Sequence, residues 1–195
     1  MRISANTLFA ILAPVAASGQ EMDMKDIVDF SDPSEASWTI VNDGVMGGRS
    51  SSDMELTDEG TAVFSGFVSL DNNGGFASVR ARFTLLDLSA FEGVVLRVRG
   101  DGRRYDLRFR MDGGFDGVAY RAEFPTTAGE WTEVRLPFEG FQPSFRGWVP
   151  PGADPLDPSR IRQMGILIGD KKEGSFQLEI AWVRGYRDFE RRPAP

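Results

Sequence analysis

The chain has 195 residues, 41% hydrophobic and 26% charged, which suits one globular domain rather than a disordered segment. It contains no Cys and no His, which excludes disulfides, thiolate nucleophiles, the Ser-His-Asp triad and the usual zinc and iron ligands. A net charge of −7 speaks against general nucleic-acid binding, which needs a basic face. Carboxylate-only hydrolysis and an all-oxygen calcium site remain open chemically. The expectation is a binding protein and not an enzyme, with no cofactor and no metal.

In chain order, Arg2 precedes an apolar run over residues 8–17, followed by Ser18, Gly19 and Gln20. A charged start, about ten apolar residues and small residues at the end form the pattern of a secretory signal. Residues 1–20 are therefore expected to be a signal peptide and the protein to be exported or periplasmic, with a cytoplasmic or membrane-associated placement as the alternative. The run is too short to span a bilayer, which takes about 20 residues, and no other segment is apolar enough.

From 26 to 186 the pattern is period two, the mark of strands with one buried face. Phe64 and Val68, then Ala77, Val79 and Ala81, then Val94, Leu96 and Val98, point one way along their runs. Tyr105, Leu107 and Phe109 oppose Arg104, Asp106, Arg108 and Arg110, and Tyr120, Ala122 and Phe124 oppose Arg121 and Glu123. Val134 and Leu136, then Met164, Ile166 and Ile168, then Phe176, Leu178, Ile180 and Trp182, complete the series. Turn residues such as Asn72-Asn73-Gly74-Gly75, Gly100-Asp101-Gly102 and Gly113-Gly114 separate the runs. Eight or more such strands specify two sheets packed face to face in a single all-β domain. Asp157 followed by Pro158 predicts one short helical turn. Residues 187–195 are expected to be a loose tail.

Four features stand out as candidates for function. Residues 42–50 (Asn-Asp-Gly-Val-Met-Gly-Gly-Arg-Ser) place Gly44, Gly47 and Gly48 within five positions, so the backbone is free to expose amides to a ligand or simply to turn sharply. Arg97, Arg99, Arg108 and Arg110 lie on the polar faces of two successive strands, as one row for an anion or as a solvated face paired with Glu123, Glu133 or Asp106. Residues 138–151 form an aromatic, proline-bearing excursion that includes Phe145 and Trp148, suited to a binding loop or to a covering flap. Asp71, Asp101, Asp112, Asp116 and Asp170 sit in or beside turns, where oxygens could gather on calcium, although no EF-hand spacing exists.

Several blocks occur in one order: Trp38, Asn42 to Ser50, Phe64-Ser65-Gly66, Asn73 to Arg80, and Arg99 to Tyr105. Phe124-Pro125-Thr126, Trp131, Leu136-Pro137-Phe138, Phe141, Arg146-Gly147, Gly165 to Ile168 and Phe176 to Ile180 follow. Over about residues 27–186 the chain resembles the complex I intermediate-associated protein family. The resemblance implies a galactose-binding-like jelly-roll β-sandwich. It also implies a non-catalytic, chaperone-like role in assembling the membrane arm of respiratory complex I (NADH:ubiquinone oxidoreductase), with protein partners among the assembly intermediates.

The family's signature blocks fall here on Asn42, Asp43, Gly44, Met46, Gly47, Gly48, Gly75, Arg80, Asp101, Gly102 and Tyr105, as site or loop-scaffold residues without assigned chemistry. Phe145 and Trp148 join them as partner-contact candidates. The fold's similarity to carbohydrate-binding modules leaves an exported carbohydrate-binding protein as the alternative, with Trp148 and Tyr105 as its aromatic platforms.

Overall fold

The computed structural model of the chain describes residues 22–32 and 37–188; the expected signal segment and residues 189–195 lie outside them. Among the described residues twelve strands follow one another: β1 (Met22–Asp29), β2 (Trp38–Ile40), β3 (Ser51–Leu56), β4 (Ala62–Val68), β5 (Ala77–Leu86) and β6 (Gly93–Arg99) in the first half. β7 (Arg104–Arg110), β8 (Ala119–Pro125), β9 (Trp131–Pro137), β10 (Gln142–Ser144), β11 (Ile161–Ile168) and β12 (Gly174–Asp188) make the second. The period-two runs become strands because alternate side chains enter one core while their neighbours meet water.

All strand pairings are antiparallel and build two six-stranded sheets. The first runs β3-β4-β12-β6-β9, with β1 added along the second half of β12; the second runs β10-β8-β7-β11-β5-β2. Between them lie Phe64, Leu96, Leu178 and Ile180 from the first sheet against Tyr105, Leu107, Phe109 and Ile166 from the second, all fully buried. The rings of Phe64 and Phe176 sit 4.9 Å apart and those of Phe109 and Phe141 5.2 Å apart. Each such side chain contributes about 1.5–3 kcal/mol by leaving water.

Helical pieces among the described residues are short 3-10 turns. The predicted one spans Pro158–Arg160, with the Asp157 carboxylate accepting from Ser159 N at 3.0 Å. No helix among the described residues is long and apolar enough to cross a membrane.

Three expectations need correction. Trp182 does not continue the inward face of Phe176, Leu178 and Ile180, because a register shift between Ile180 and Trp182 turns the strand by one residue. Val183 takes the buried place, and Trp182 lies part-exposed beneath the Arg184 guanidinium, 4.3 Å from its ring centroid. The sandwich also runs past 26 and 186: Met22 pairs with Asp188, and Arg187 Nη2 donates to Asp23 Oδ2 at 2.5 Å. Arg187 and Asp188 are thus part of a strand and not of a loose tail.

The third correction concerns the arginine row. β6 and β7 are successive in the chain but lie in different sheets. Arg97 and Arg99 therefore stand on the outer face of the first sheet, against Glu133, Glu179 and the Trp131 ring. Arg108 and Arg110 stand on the outer face of the second, so the four form no single row.

Candidate functional site

The second sheet's outer face carries the site. Strand register aligns four positions on one line across it: Arg80 of β5 pairs with Gly165 of β11, Gly165 with Arg108 of β7, and Arg108 with Arg121 of β8. Gly165 is needed in this line, since a Cβ there would come within 2.8 Å of Val79 O and 3.2 Å of Arg80 Cγ. On the next line β7 places Arg110 opposite Gln163.

Loops raise walls around these arginines and leave a cleft of about 540 Å³, within the usual range for ligand sites. One wall is the 42–48 turn with the 70–76 loop, a second is the loop between β7 and β8, and a third is the turn at Arg146 and Gly147. Six cationic side chains line the cleft against two carboxylates, Asp106 and Asp116. In a protein of net charge −7 this is a local reversal of sign.

The cations are held in different ways. Arg80 Nη1 donates to Phe115 O at 2.9 Å with its guanidinium 5.4 Å from the Phe115 ring, and Arg110 donates to Gly117 O. Both are fixed by neutral backbone acceptors, which position a charge without cancelling it. Arg108 and Arg121 face each other across the strand pair, a like-charge arrangement that costs stability. The buried Asp106 carboxylate sits between them, accepting from Arg108 Nη2 at 3.2 Å and Arg121 Nη2 at 2.8 Å. Burial, reinforced by the neighbouring Arg110, Arg108 and Arg82, brings the Arg80 guanidinium down to about 10, so it stays charged at neutral pH. Burial also lowers Arg108 and Arg110. Asp116 is held below the usual carboxylate range by its bond from Arg146.

Two buried polar atoms on this face meet no partner among the described residues: Arg108 Nε and Gln163 Oε1. Such atoms are rare in folded proteins. The amide of Gln163 is otherwise used to hold the wall, donating to Asp112 O at 2.9 Å and Gly114 O at 2.7 Å.

The 42–50 segment is the scaffold of the first wall. Asp43 is fully buried, and its carboxylate accepts from Ser50 N (2.9 Å), Ser50 Oγ (2.5 Å), Gly75 N (2.7 Å) and Phe76 N (3.3 Å). Asn42 Oδ1 accepts from Ser52 Oγ and Ser78 N at 2.8 and 3.2 Å. Gly48 packs directly on the acid, since a Cβ there would lie 2.4 Å from Asp43 Cγ. Gly44 and Gly47 face open space and let the turn lift Val45 and Met46, both exposed, onto the rim. Gly47 has φ +90 with nothing near its Cβ position, so Gly47→Val is strained by backbone conformation and not by a clash. It should cost about 1–2 kcal/mol of stability in a denaturant titration.

Of the other expected residues, Gly75 and Arg80 line the cleft. Asp101, Gly102 and Tyr105 do not. Tyr105 is 1% exposed, stacked on Phe124, and its hydroxyl donates to Asp101 Oδ1 at 3.1 Å; burial pushes its phenol up. It cannot be an aromatic platform. Asp101 also accepts from Gln177 N at 2.9 Å, joining the β6–β7 turn to β12. Phe145 and Trp148 pair edge to face, 6.0 Å apart, across a tight hairpin whose tip, Arg146 and Gly147, is what reaches the cleft.

Arg121, Arg146, Phe115, Asp106 and Lys171 are cleft residues that sequence reasoning did not single out. The strand phase of Arg121 was visible, but its line with Arg108 and Arg80 exists only in the register. Among the described residues no group of three or more acids could hold a metal ion. Asp116 and Asp170 are instead committed to Arg146 and Arg103.

Comparison with known proteins places this geometry in context. A family model described as "Complex I intermediate-associated protein 30" matches residues 28–180. The mitochondrial complex I intermediate-associated protein 30 of Drosophila melanogaster is 29% identical over 180 residues, covering 80% of this chain and 61% of that protein. The Mus musculus protein of the same name is also 29% identical, over 77% of this chain and 52% of its own length. The chain thus spans roughly half to three-fifths of the curated relatives it matches.

Both relatives are named mitochondrial, which conflicts with the expectation of an exported or periplasmic protein and overturns it. Among solved structures, a family 11 carbohydrate-binding module of Clostridium thermocellum, in complex with a mixed-linked tetrasaccharide, superposes with a TM-score of 0.59 at 18% identity. The match covers 83% of this chain and 94% of that one. It bears out the expected galactose-binding-like sandwich and shows the fold alone.

Proposed function

The chain belongs to the complex I intermediate-associated protein 30 family, and from that premise we propose that it is a non-catalytic binding factor that engages complex I assembly intermediates through the cleft on its second sheet. The observation that supports this most is the cleft's construction, a formed, loop-walled site whose two carboxylates are both committed to guanidiniums. Neither acid is left as a proton donor or nucleophile, and the chain has no His or Cys to serve instead. The curated relatives' names supply the class of partner.

The carbohydrate-binding alternative draws on fold likeness. Its expected platforms do not serve the cleft, since Tyr105 is in the core and Trp148 stands off the cleft lining. A floor of arginines is also a poor match for a neutral glycan.

The test is capture from the protein's own host in mild detergent, with the tagged full-length chain and mass spectrometry. Complex I membrane-arm subunits should be enriched over an untagged control. Their absence from a capture that recovers other proteins would remove the assembly role.

A further inference from the structure

We propose that the cleft recognises an acidic, extended segment of a polypeptide partner, reading two or three carboxylates along the line Arg80–Arg108–Arg121. This rests on the binding-factor reading above and names the chemistry of the partner at the same site.

The geometry selects a ligand with several spaced charges. Arg80, on β5, and Arg121, on β8, are separated by three strand spacings, about 14 Å. A single phosphate or carboxylate is too small to engage both ends. Carboxylates on one face of an extended chain recur about every 7 Å, so three alternate acidic residues match the length of the line.

Guanidinium forks suit this recognition because they grip carboxylates by paired hydrogen bonds. Arg108 is part-exposed at its side chain and stands on the line between Arg80 and Arg121, although its Nε is itself buried. Arg80 and Arg110 are oriented by backbone carbonyls and not by a hydrogen-bonded carboxylate, with Asp116 near both and Asp112 near Arg110. Asp106, two residues along β7 from Arg108, offsets part of the repulsion between Arg108 and Arg121, and Glu123 lies 3.5 Å from Arg121; the cleft lining still carries six cations against two carboxylates.

The rim adds apolar contact. Val45, Met46, Leu70 and Phe115 are exposed and line the cleft. An alternating segment that sends acids to the floor sends its other side chains away from it. Apolar residues flanking the acidic stretch would then meet this rim. Aromatic residues, methionine and arginine are the side chains enriched at protein interfaces over the rest of the surface.

The experiment uses the full-length protein and a fluorescein-labelled nonapeptide alternating glutamate with valine, followed by anisotropy at low salt. A peptide with glutamine in place of glutamate is the control. The glutamate peptide should bind and the glutamine peptide should not, and added salt should weaken binding. Arg80→Gln and Arg121→Gln should each reduce affinity about tenfold, equivalent to about 1.4 kcal/mol. Arg97→Gln, on the other sheet's outer face, should leave it unchanged. Arg121 is 39% exposed at its side chain, so its replacement is suited to leave the fold intact, which thermal melting checks.

Equal binding of the two peptides, or equal loss in Arg97→Gln, overturns the proposal. So does displacement of the peptide by inorganic phosphate or by phosphatidylglycerol vesicles at matched concentration of charge, which would make the cleft a site for a phosphate group. The two readings separate cleanly. If Arg80→Gln loses the peptide yet still captures complex I subunits, the cleft is not the docking place; this inference then falls together with the cleft's part in the reading above, while the assembly role itself stands. If the unaltered protein binds the peptide but captures none of those subunits, the assembly role falls and the cleft's chemistry stands.

Discussion

Asp43→Ala is expected to destabilise the protein by about 3 kcal/mol or more, lowering its melting temperature by about 6–12 °C for a chain of this size. The carboxylate is fully buried and accepts four hydrogen bonds, three of them from backbone amides. Removing it leaves those donors inside the fold without an acceptor, each costing about 1–3 kcal/mol if nothing rearranges. The same bonds tie the 42–50 turn to the 70–76 loop, so the first wall of the cleft should loosen with it. Loss of the acidic peptide's binding would then accompany loss of stability.

Asp43→Asn separates shape from charge. It keeps one acceptor oxygen and turns an NH₂ toward amides, so it should fall between the native protein and the alanine variant. Burial raises the Asp43 carboxyl, but the bonds from Ser50, Gly75 and Phe76 together outweigh it and hold the group below its ordinary value. A carboxyl lowered in the folded state contributes stability that is complete above its unfolded value, near 3.9, and is lost as pH falls through the folded value. The native protein should therefore lose stability below about pH 4, and the part of that loss due to Asp43 should be missing in Asp43→Asn. Identical acid unfolding curves for the two proteins would show that the acid is not the group that titrates.

Asp106→Ala is expected to cost about 2–3 kcal/mol, measured by denaturant titration. The Asp106 side chain is 6% exposed and, among the described residues, is the one carboxylate hydrogen-bonded to both Arg108 and Arg121. Without it two guanidiniums face each other across a strand pair, with Glu123 Oε2, 3.5 Å from Arg121, as the remaining neighbouring carboxylate. The cost is kept below that of a fully buried pair because Arg121 is part-exposed and water screens it. Adding Arg121→Gln to Asp106→Ala should restore a good part of the loss, since it removes the repulsion that Asp106 offsets. A purely additive double variant would mean that the carboxylate stabilises the fold by some other route. Neutralising Asp106 also raises the net positive charge of the cleft, so the acidic peptide should bind the folded fraction more tightly.

Which residues face the core is legible in the sequence. Phe64, Leu107, Ile166 and Leu178 follow from alternation, because a strand presents successive side chains to opposite faces whatever its partners are. The Asp157-Pro158 turn followed from local capping for the same reason. Trp182 was misplaced because one irregular residue inverts every later side chain, and nothing in the strand's own alternation marks the register shift.

The candidate site divides along the same boundary. The family-like loop residues Asn42, Asp43, Gly48 and Gly75 were visible as a group, yet their function as a hydrogen-bonded wall depends on Asp43 meeting Gly75 and Phe76 more than thirty residues away. The chain by itself determined the alternation, the turns, the absence of His and Cys, and the excess of arginine over lysine. Only the tertiary structure decided which arginines stand together. Crossing from β6 to β7 changes sheets and separates Arg97 from Arg108, while pairing through β11 brings Arg80 of β5 into line with Arg108 and Arg121. Strand register is a long-range choice made by the whole core, so a line of charge drawn across strands cannot be read along one.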